Sequence, residues 1–233
     1  MIFQTLETEP MKINHNGKPY KCPASLSEIP LKQVIDFQLQ YGKDLEQFLQ
    51  NVDPENELEF FEIKMDMACK SVSFFTGIPL EEIYKTDIMQ VFSIFDNVLS
   101  PIFQPQEERT LFENYHFKGE LWTIASPQMT FENTMTFNEL ILGKVITNDM
   151  KNFAAGKFEA LQRLAVVYFR KVDEKLDESW LSEEFEQSER LKLMAELPMD
   201  IVLDIAFFLQ SSMSAFIQSS QFLGNQKEGK DPI

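Results

Sequence analysis

Cysteine is nearly absent from this chain: Cys22 and Cys69 are the only two in 233 residues. A disulfide framework is therefore excluded, and a reducing compartment is the default expectation. Histidine is as scarce, with only His15 and His116, and glycine numbers 8. So few glycines argue against the glycine-lined ligand loops common in enzymes. Basic residues are in deficit, 21 Lys and Arg against 37 Asp and Glu, for a net charge of −16. That balance counts against nucleic-acid binding, since phosphate affinity comes mainly from Lys and Arg. It disfavours an anionic membrane surface for the same reason. No apolar run reaches a membrane span without interruption, and Met1 onward lacks the basic and apolar regions of a signal peptide.

What is present is phenylalanine, 22 residues, beside 11 methionines. Hydrophobic residues make up 44% and charged residues 25%, the composition of a folded globular chain. Many Phe and Met with few Gly describe packed helices, and the length fits one large domain or two small ones.

The hydrophobic periods give a mainly α chain with small β-hairpins, an α+β class with about six to eight helices. Residues 1–10 read as an acidic arm. Ile13, His15, Tyr20 and Cys22 alternate around Asn16-Gly17, a strong two-residue hairpin signal. Ser25-Leu-Ser-Glu28 has capping-box spacing, and Leu31, Val34, Ile35 and Leu39 follow on one helical face to Gly42. Leu45 to Val52 extends or restarts that helix before the break at Asp53-Pro54. Phe61, Met65, Ala68, Val72 and Phe75 then predict a buried helical stripe that Thr76-Gly77-Ile78-Pro79 ends. From Leu80 through Ile83, Tyr84, Ile88, Val91, Phe92 and Phe95 to Leu99 the period predicts one amphipathic helix, closed by Pro101 and Pro105.

The second half starts again with a hairpin, Tyr115 to Ile124 around Gly119. Helices are expected at Thr136 to Ile146, at Phe158 to Tyr168 with Arg170 and Lys171 at the negative helix end, around Phe185 to Met194, and from Pro198 to Leu223. The units expected are 1–10 as arm, 11–105 and 106–224 as hairpin-plus-helix subdomains, and 225–233 as a polar tail. A shift of 102 places Ile13, Tyr20 and Cys22 on Tyr115, Trp122 and Ile124. A shift of 106 places Ile29, Leu31, Val34 and Ile35 on Met135, Phe137, Leu140 and Ile141. A diverged internal duplication and a shared generic pattern both account for this likeness.

Catalytic signals are missing. His15, Cys22, Cys69 and His116 match no short metal signature, and neither Cys has a basic cluster beside it to form a thiolate. The run Asp53-Pro-Glu-Asn-Glu57-Leu-Glu59 resembles a calcium loop but has Leu58 at the sixth position and Lys64 at the twelfth. A helix start made acidic to suit its dipole explains it better. There is no nucleophile elbow and no phosphate-cradling loop, so no catalytic, cofactor-binding or metal residue is nominated.

Within the last helix the stretch Ile201 to Leu209 is apolar nearly all round except for Asp204, with Asp200 just ahead of it. A core helix fits better than a membrane anchor, and an oligomer contact is a third reading. The acid is concentrated: 44–63 holds seven carboxylates and no base, and 173–196 holds nine against three bases. Such runs are usually solvated faces. Turned toward a basic protein they would steer it, and turned toward DNA they would repel it.

Asn16-Gly-Lys-Pro-Tyr-Lys-Cys-Pro23, the helix from Leu26 to Phe37, and Phe75-Thr-Gly-Ile-Pro-Leu-Glu-Glu-Ile83 resemble segments of small virion and tail-assembly proteins of tailed bacteriophages, crAss-like phages in particular. The resemblance covers about the first hundred residues and brings no site residue with it. It implies a non-enzymatic structural or cargo protein of the neck or tail, or alternatively an assembly chaperone or peptide-binding adaptor. The partners would be other virion proteins, such as portal, neck or tail components, in a multi-subunit assembly. The location would be the virion, and the host cytoplasm before assembly. No cofactor, nucleic-acid or membrane partner is expected.

Overall fold

A computed structural model describes residues 11–15, 17–50, 57–103, 109–125, 147–175, 177 and 189–212. The arm at 1–10, the expected helix at 136–146, Phe185, the helix beyond 212 and the tail at 225–233 lie outside the described residues. Those described form a mainly helical α+β fold with eight α-helices, a two-stranded hairpin and a three-stranded antiparallel sheet. They divide into two compact units. The first holds 11–103 with 155–158 and 196–200, and the second holds the remainder.

In the first unit, β1 (Met11–His15) and β2 (Lys18–Cys22) form the expected hairpin, with His15 opposite Lys18. Gly17 at φ 75 supplies the positive φ that a two-residue turn demands. The capping box does not form. Ser25 makes no side-chain cap bond, only a 3-10 turn follows at Leu26–Glu28, and α1 begins later, at Leu31–Gln50. The reason is Pro30: its ring pushes Ile29 into an extended conformation (φ −105, ψ 107), so no helix can run through from Ser25. Pro30 instead bridges to Pro198, with Leu31 N donating to Leu197 O and Met199 N to Ile29 O.

Helix α1 kinks at Tyr41 (φ −123, ψ 22). Both halves bury one face, Leu31, Val34 and Phe37 before the kink and Leu45 and Phe48 after it. α2 (Glu57–Thr76) carries the predicted stripe, of which Ala68, Val72 and Phe75 are buried. It stops where expected. Gly77 adopts φ 75, Thr76 Oγ1 donates to Val72 O, and Ser73 Oγ donates to Ile78 O, which satisfies groups at the helix end.

The single helix expected over 80–99 is two. α3 (Leu80–Ile83) ends in a turn, and Asp87 caps a new helix by accepting from Met89 N at 2.8 Å. Thr86 Oγ1 turns back to Glu82 O, so its hydroxyl closes the first helix. α4 then runs through 88–103, as Ile88–Ile94, a π-helical turn at Phe95–Leu99, and Ser100–Phe103. The core of this unit is aromatic. Phe37 contacts Phe74, Phe75 and Phe103 at 5.3–5.5 Å between ring centres, and Phe103 continues to Phe95 and Phe158. Each such ring pair adds about 0.5–1.5 kcal/mol beyond its area burial.

In the second unit, β3 (Tyr115–Phe117) and β4 (Glu120–Ile124) form the other hairpin, with both turn residues, Lys118 and Gly119, at positive φ (53 and 78). Tyr115 pairs with Trp122 as Ile13 pairs with Tyr20, so the two hairpins share one register under the shift of 102. The helical part of the likeness falls on 135–141, outside the described residues. α5 spans 147–154, and α6 (Glu159–Tyr168) ends earlier than the basic pair implied. Arg170 and Lys171 lie not on a helix end but in β5 (Phe169–Lys171), which pairs antiparallel with β4. Sheet hydrogen bonds and complete burial of Phe169 outweigh the modest helix-dipole term. α7 (Glu189–Ala195) and α8 (199–212), the latter belonging to this unit from Ile201 onward, complete the described chain.

Candidate functional site

The residues weighed for metal or thiol chemistry are dispersed. His15 lies in β1, His116 is an exposed residue of β3, and Cys22 and Cys69 are buried in the first unit. Burial raises both thiols above their ordinary pKa, helped by the charge of Glu28 at Cys22 and of Asp66 at Cys69. Protonated thiols of this kind pack and do not attack. Among the described residues no group of three or more His, Cys, Asp or Glu is gathered as a metal site would require. Of the calcium-like run, 53–56 lie outside the described residues, and Glu57 onward is the first turn of α2.

Two charge assemblies lie in the second unit, one around the buried Asp204 and one part-buried around Arg190. Asp204, in the apolar stretch of α8, is only 5% exposed. Arg109 Nε donates to its Oδ1 at 2.7 Å and Tyr115 Oη to its Oδ2 at 3.2 Å. Burial, with the negative charge of Asp204, pushes the Tyr115 phenol up to about 12, although Phe112 N donating to it works the other way. The second assembly centres on Arg190. It donates to Val166 O, to Phe169 O and to both carboxylate oxygens of Glu174, and it lies 5.8 Å from the centre of the Trp122 ring. Trp122 in turn stacks on Phe169 at 5.1 Å and donates Nε1–H to Phe117 O. Nearby, Tyr168 Oη and Arg170 Nε are buried without a hydrogen-bond partner. Apart from those two atoms, these arrangements satisfy buried polarity.

The first unit carries an open apolar groove of about 160 Å³. α2 supplies one wall with Met65, Ala68 and Cys69, while Asp66 marks its polar edge. Ile83, Tyr84 and Thr86, at the end of α3 and in the following turn, supply the floor and rim. Ile88, Val91 and Phe92 of α4 close the other side. The break at Asp87 makes this groove: a single straight helix over 80–99 would have turned Tyr84 and Ile88 onto one stripe with Val91. Instead Tyr84 is 59% exposed, and Met89, next to Ile88, is 70% exposed. Phe61 and Leu58, one and two turns back along α2, are also exposed, and Phe61 meets Phe92 at 5.8 Å.

The sequence reading placed Tyr84, Ile88 and Phe61 in buried stripes and so missed the groove. Thr86-Asp87 before an apolar run is an N-cap signal that could have found it. No helix among the described residues is long and apolar enough to cross a membrane. Comparisons with protein-family models, with curated proteins and with solved structures return no match.

Proposed function

We propose that this chain is a non-catalytic assembly protein that works by holding an apolar side chain of a partner protein in the groove between α2, α3 and α4. The groove with its exposed rim carries the reading. Tyr84 and Ile88 line the cavity and stay exposed, Phe61 meets its Phe92, and Leu58 and Met89 are exposed further along the same helices, the makings of a partner-binding patch. An adaptor or assembly chaperone of a tailed-phage particle suits such a groove best. The particle itself rests on the resemblance of 16–23, 26–37 and 75–83. A retained structural or cargo protein of the neck or tail is the second reading, favoured by the hairpins and aromatic core that make a rigid packing unit.

Native mass spectrometry of assembling and mature particles separates the two. An adaptor appears bound to one partner before assembly and is missing from mature particles, whereas a structural protein is retained in fixed copy number. A chain that stays monomeric, joins no complex and is missing from particles at both stages would overturn both readings.

A further inference from the structure

The chain has four arginines, Arg109, Arg163, Arg170 and Arg190. Three of them meet a carboxylate: Arg109 with Asp204 at 2.7 Å, Arg163 with Asp149 at 2.6 Å and Arg190 with Glu174 at 3.1 Å. Arg170 has no such partner among the described residues, and its buried Nε donates to nothing. With 37 acids against 21 bases, a guanidinium without a carboxylate is the exception in this chain. Among the described acids, the one whose charge reaches Arg170 is Glu174, and both its oxygens already accept from Arg190 Nη1. Arg190 meets the charge of Arg170 as repulsion.

The register of the sheet places a second unpartnered donor beside it. Trp122 and Phe169 stack at 5.1 Å on one face. Arg170 is opposite Thr123, and one step further on the carbonyl of Tyr168 accepts from Ala125 N at 2.7 Å. Side chains alternate along a strand, so Tyr168 and Arg170 share the other face, about 7 Å apart along the chain. Burial pushes the Tyr168 phenol up and the charge of Arg170 draws it back, an influence that requires the two groups to be near. Tyr168 is only 4% exposed, and its Oη has no hydrogen-bond partner. Thr123 cannot supply one, since its Oγ1 is turned to Glu113 O at 3.0 Å. Toward its other end the same face opens. Val172 N donates to Leu121 O, and both of those side chains are exposed, as is His116 opposite Leu121.

Two buried donors therefore lack an acceptor, and one of them carries a charge without a counter-charge of its own. Water would satisfy the phenol and leave the guanidinium uncompensated, whereas an anion answers both needs. The planar fork of a guanidinium matches the paired oxygens of a carboxylate or a phosphate group.

We propose that Tyr168 and Arg170 form a binding site for a small oxyanion, a carboxylate or a phosphate group, reached from the open end of this sheet face beside Leu121 and Val172. Tyr168 Oη and Arg170 Nε donate to its oxygens. The site lies wholly in the second unit and does not depend on the groove of the first.

The test titrates the full chain with sodium acetate and, separately, with sodium phosphate. Sodium chloride holds the ionic strength constant and serves as the control, because salt of any kind relieves the self-repulsion of a chain at net charge −16. Isothermal titration calorimetry is expected to show saturable binding of one anion per chain, at about millimolar affinity or tighter. The melting temperature should rise with occupancy. Binding of acetate alone assigns a carboxylate ligand, and binding of phosphate alone a phosphate one. Arg170→Gln is expected to weaken binding about tenfold or more, and Tyr168→Phe, which removes only the hydroxyl, about fivefold or more. Circular dichroism verifies that both variants fold, and Tyr168→Phe carries the test by itself should Arg170→Gln not fold. No saturable binding of either anion beyond the chloride control would overturn the site and leave water as the partner of both donors. Affinity unchanged in either folded variant would overturn it as well, by placing the anion elsewhere.

Discussion

The two units solve the problem of a Phe-rich, acidic chain in opposite ways. The second buries charge and pairs it: Asp204 takes Arg109 and Tyr115, and Arg190 takes Glu174, two backbone carbonyls and the face of Trp122. The first sets a cluster of aromatic rings, Phe37, Phe95 and Phe103, among buried aliphatic side chains, and leaves apolar side chains of α2 to α4 in solvent. Paired buried charge specifies one arrangement, because any slip leaves an ion unmatched. An aromatic core tolerates its own surplus, and here the surplus is outside. Among the described residues the first unit leaves the larger number of big apolar side chains in solvent, against Phe112, Leu121 and Val172 in the second.

Substitutions can break this contrast. The largest effects are expected where each unit is anchored. Phe37→Ala should cost about 3–5 kcal/mol by leaving a cavity among Tyr41, Phe74, Phe75 and Phe103. Arg190→Met should cost less, about 1–3 kcal/mol, because two carbonyls and the part-buried Glu174 carboxylate lose a charged donor. Urea denaturation followed by far-UV circular dichroism reads Phe37→Ala, and Trp fluorescence reads Arg190→Met, since Trp122 lies against Arg190. A loss under about 1 kcal/mol for Arg190→Met would mean that the charge assembly is not the anchor of its unit.

A smaller loss is expected at Gly156, which sits at φ 80 with Leu45 and Leu49 where a Cβ would stand, the nearest atom at 3.0 Å. Gly156→Ala should cost about 1–2 kcal/mol from the left-handed backbone alone, and the leucines must also shift. A melting temperature equal to that of the parent chain would contradict this.

Alkali should weaken the second unit through Tyr115. Its folded pKa stands at about 12 against an ordinary 10, so folding favours the protonated phenol. That contribution is complete below pH 10 and is lost as the pH rises from 10 toward 12. Denaturation midpoints over that range should fall more steeply for the parent than for Tyr115→Phe. Parallel slopes would show that the phenol is not linked to folding.

The least effect on stability is expected at the groove. Met89→Ser should stay within about 0.5 kcal/mol, because the side chain is in solvent. A loss well beyond that would show that Met89 supports the core, and the apolar surplus would no longer be free for a partner.

Local chemistry made much of the fold legible. Asn16-Gly17 and Gly119 announced two hairpins because their turns need positive φ, and Thr76-Gly77 announced the end of α2 because its last carbonyls need partners. The stripe of Ala68, Val72 and Phe75 was readable for the same kind of reason, since the period of a helix is a property of neighbours. Three readings failed where a local signal competed with something distant or was overlooked. Ser25 to Glu28 had the letters of a capping box, but Pro30 moved the start of α1. Arg170 and Lys171 looked like a helix end, but Trp122 and Thr123 drew them into a sheet. Tyr84 and Ile88 kept the period of a core helix across a break that Asp87 imposes.

The sequence by itself determined the helical class, the two hairpins, the aromatic character of the core and the negative charge, because each depends on composition or on residues a few positions apart. Only the tertiary structure decided which apolar residues stay outside, and that Asp204 would meet Arg109 from 95 positions away. Burial and ion pairing are settled by which surfaces meet, and no period along the chain records that.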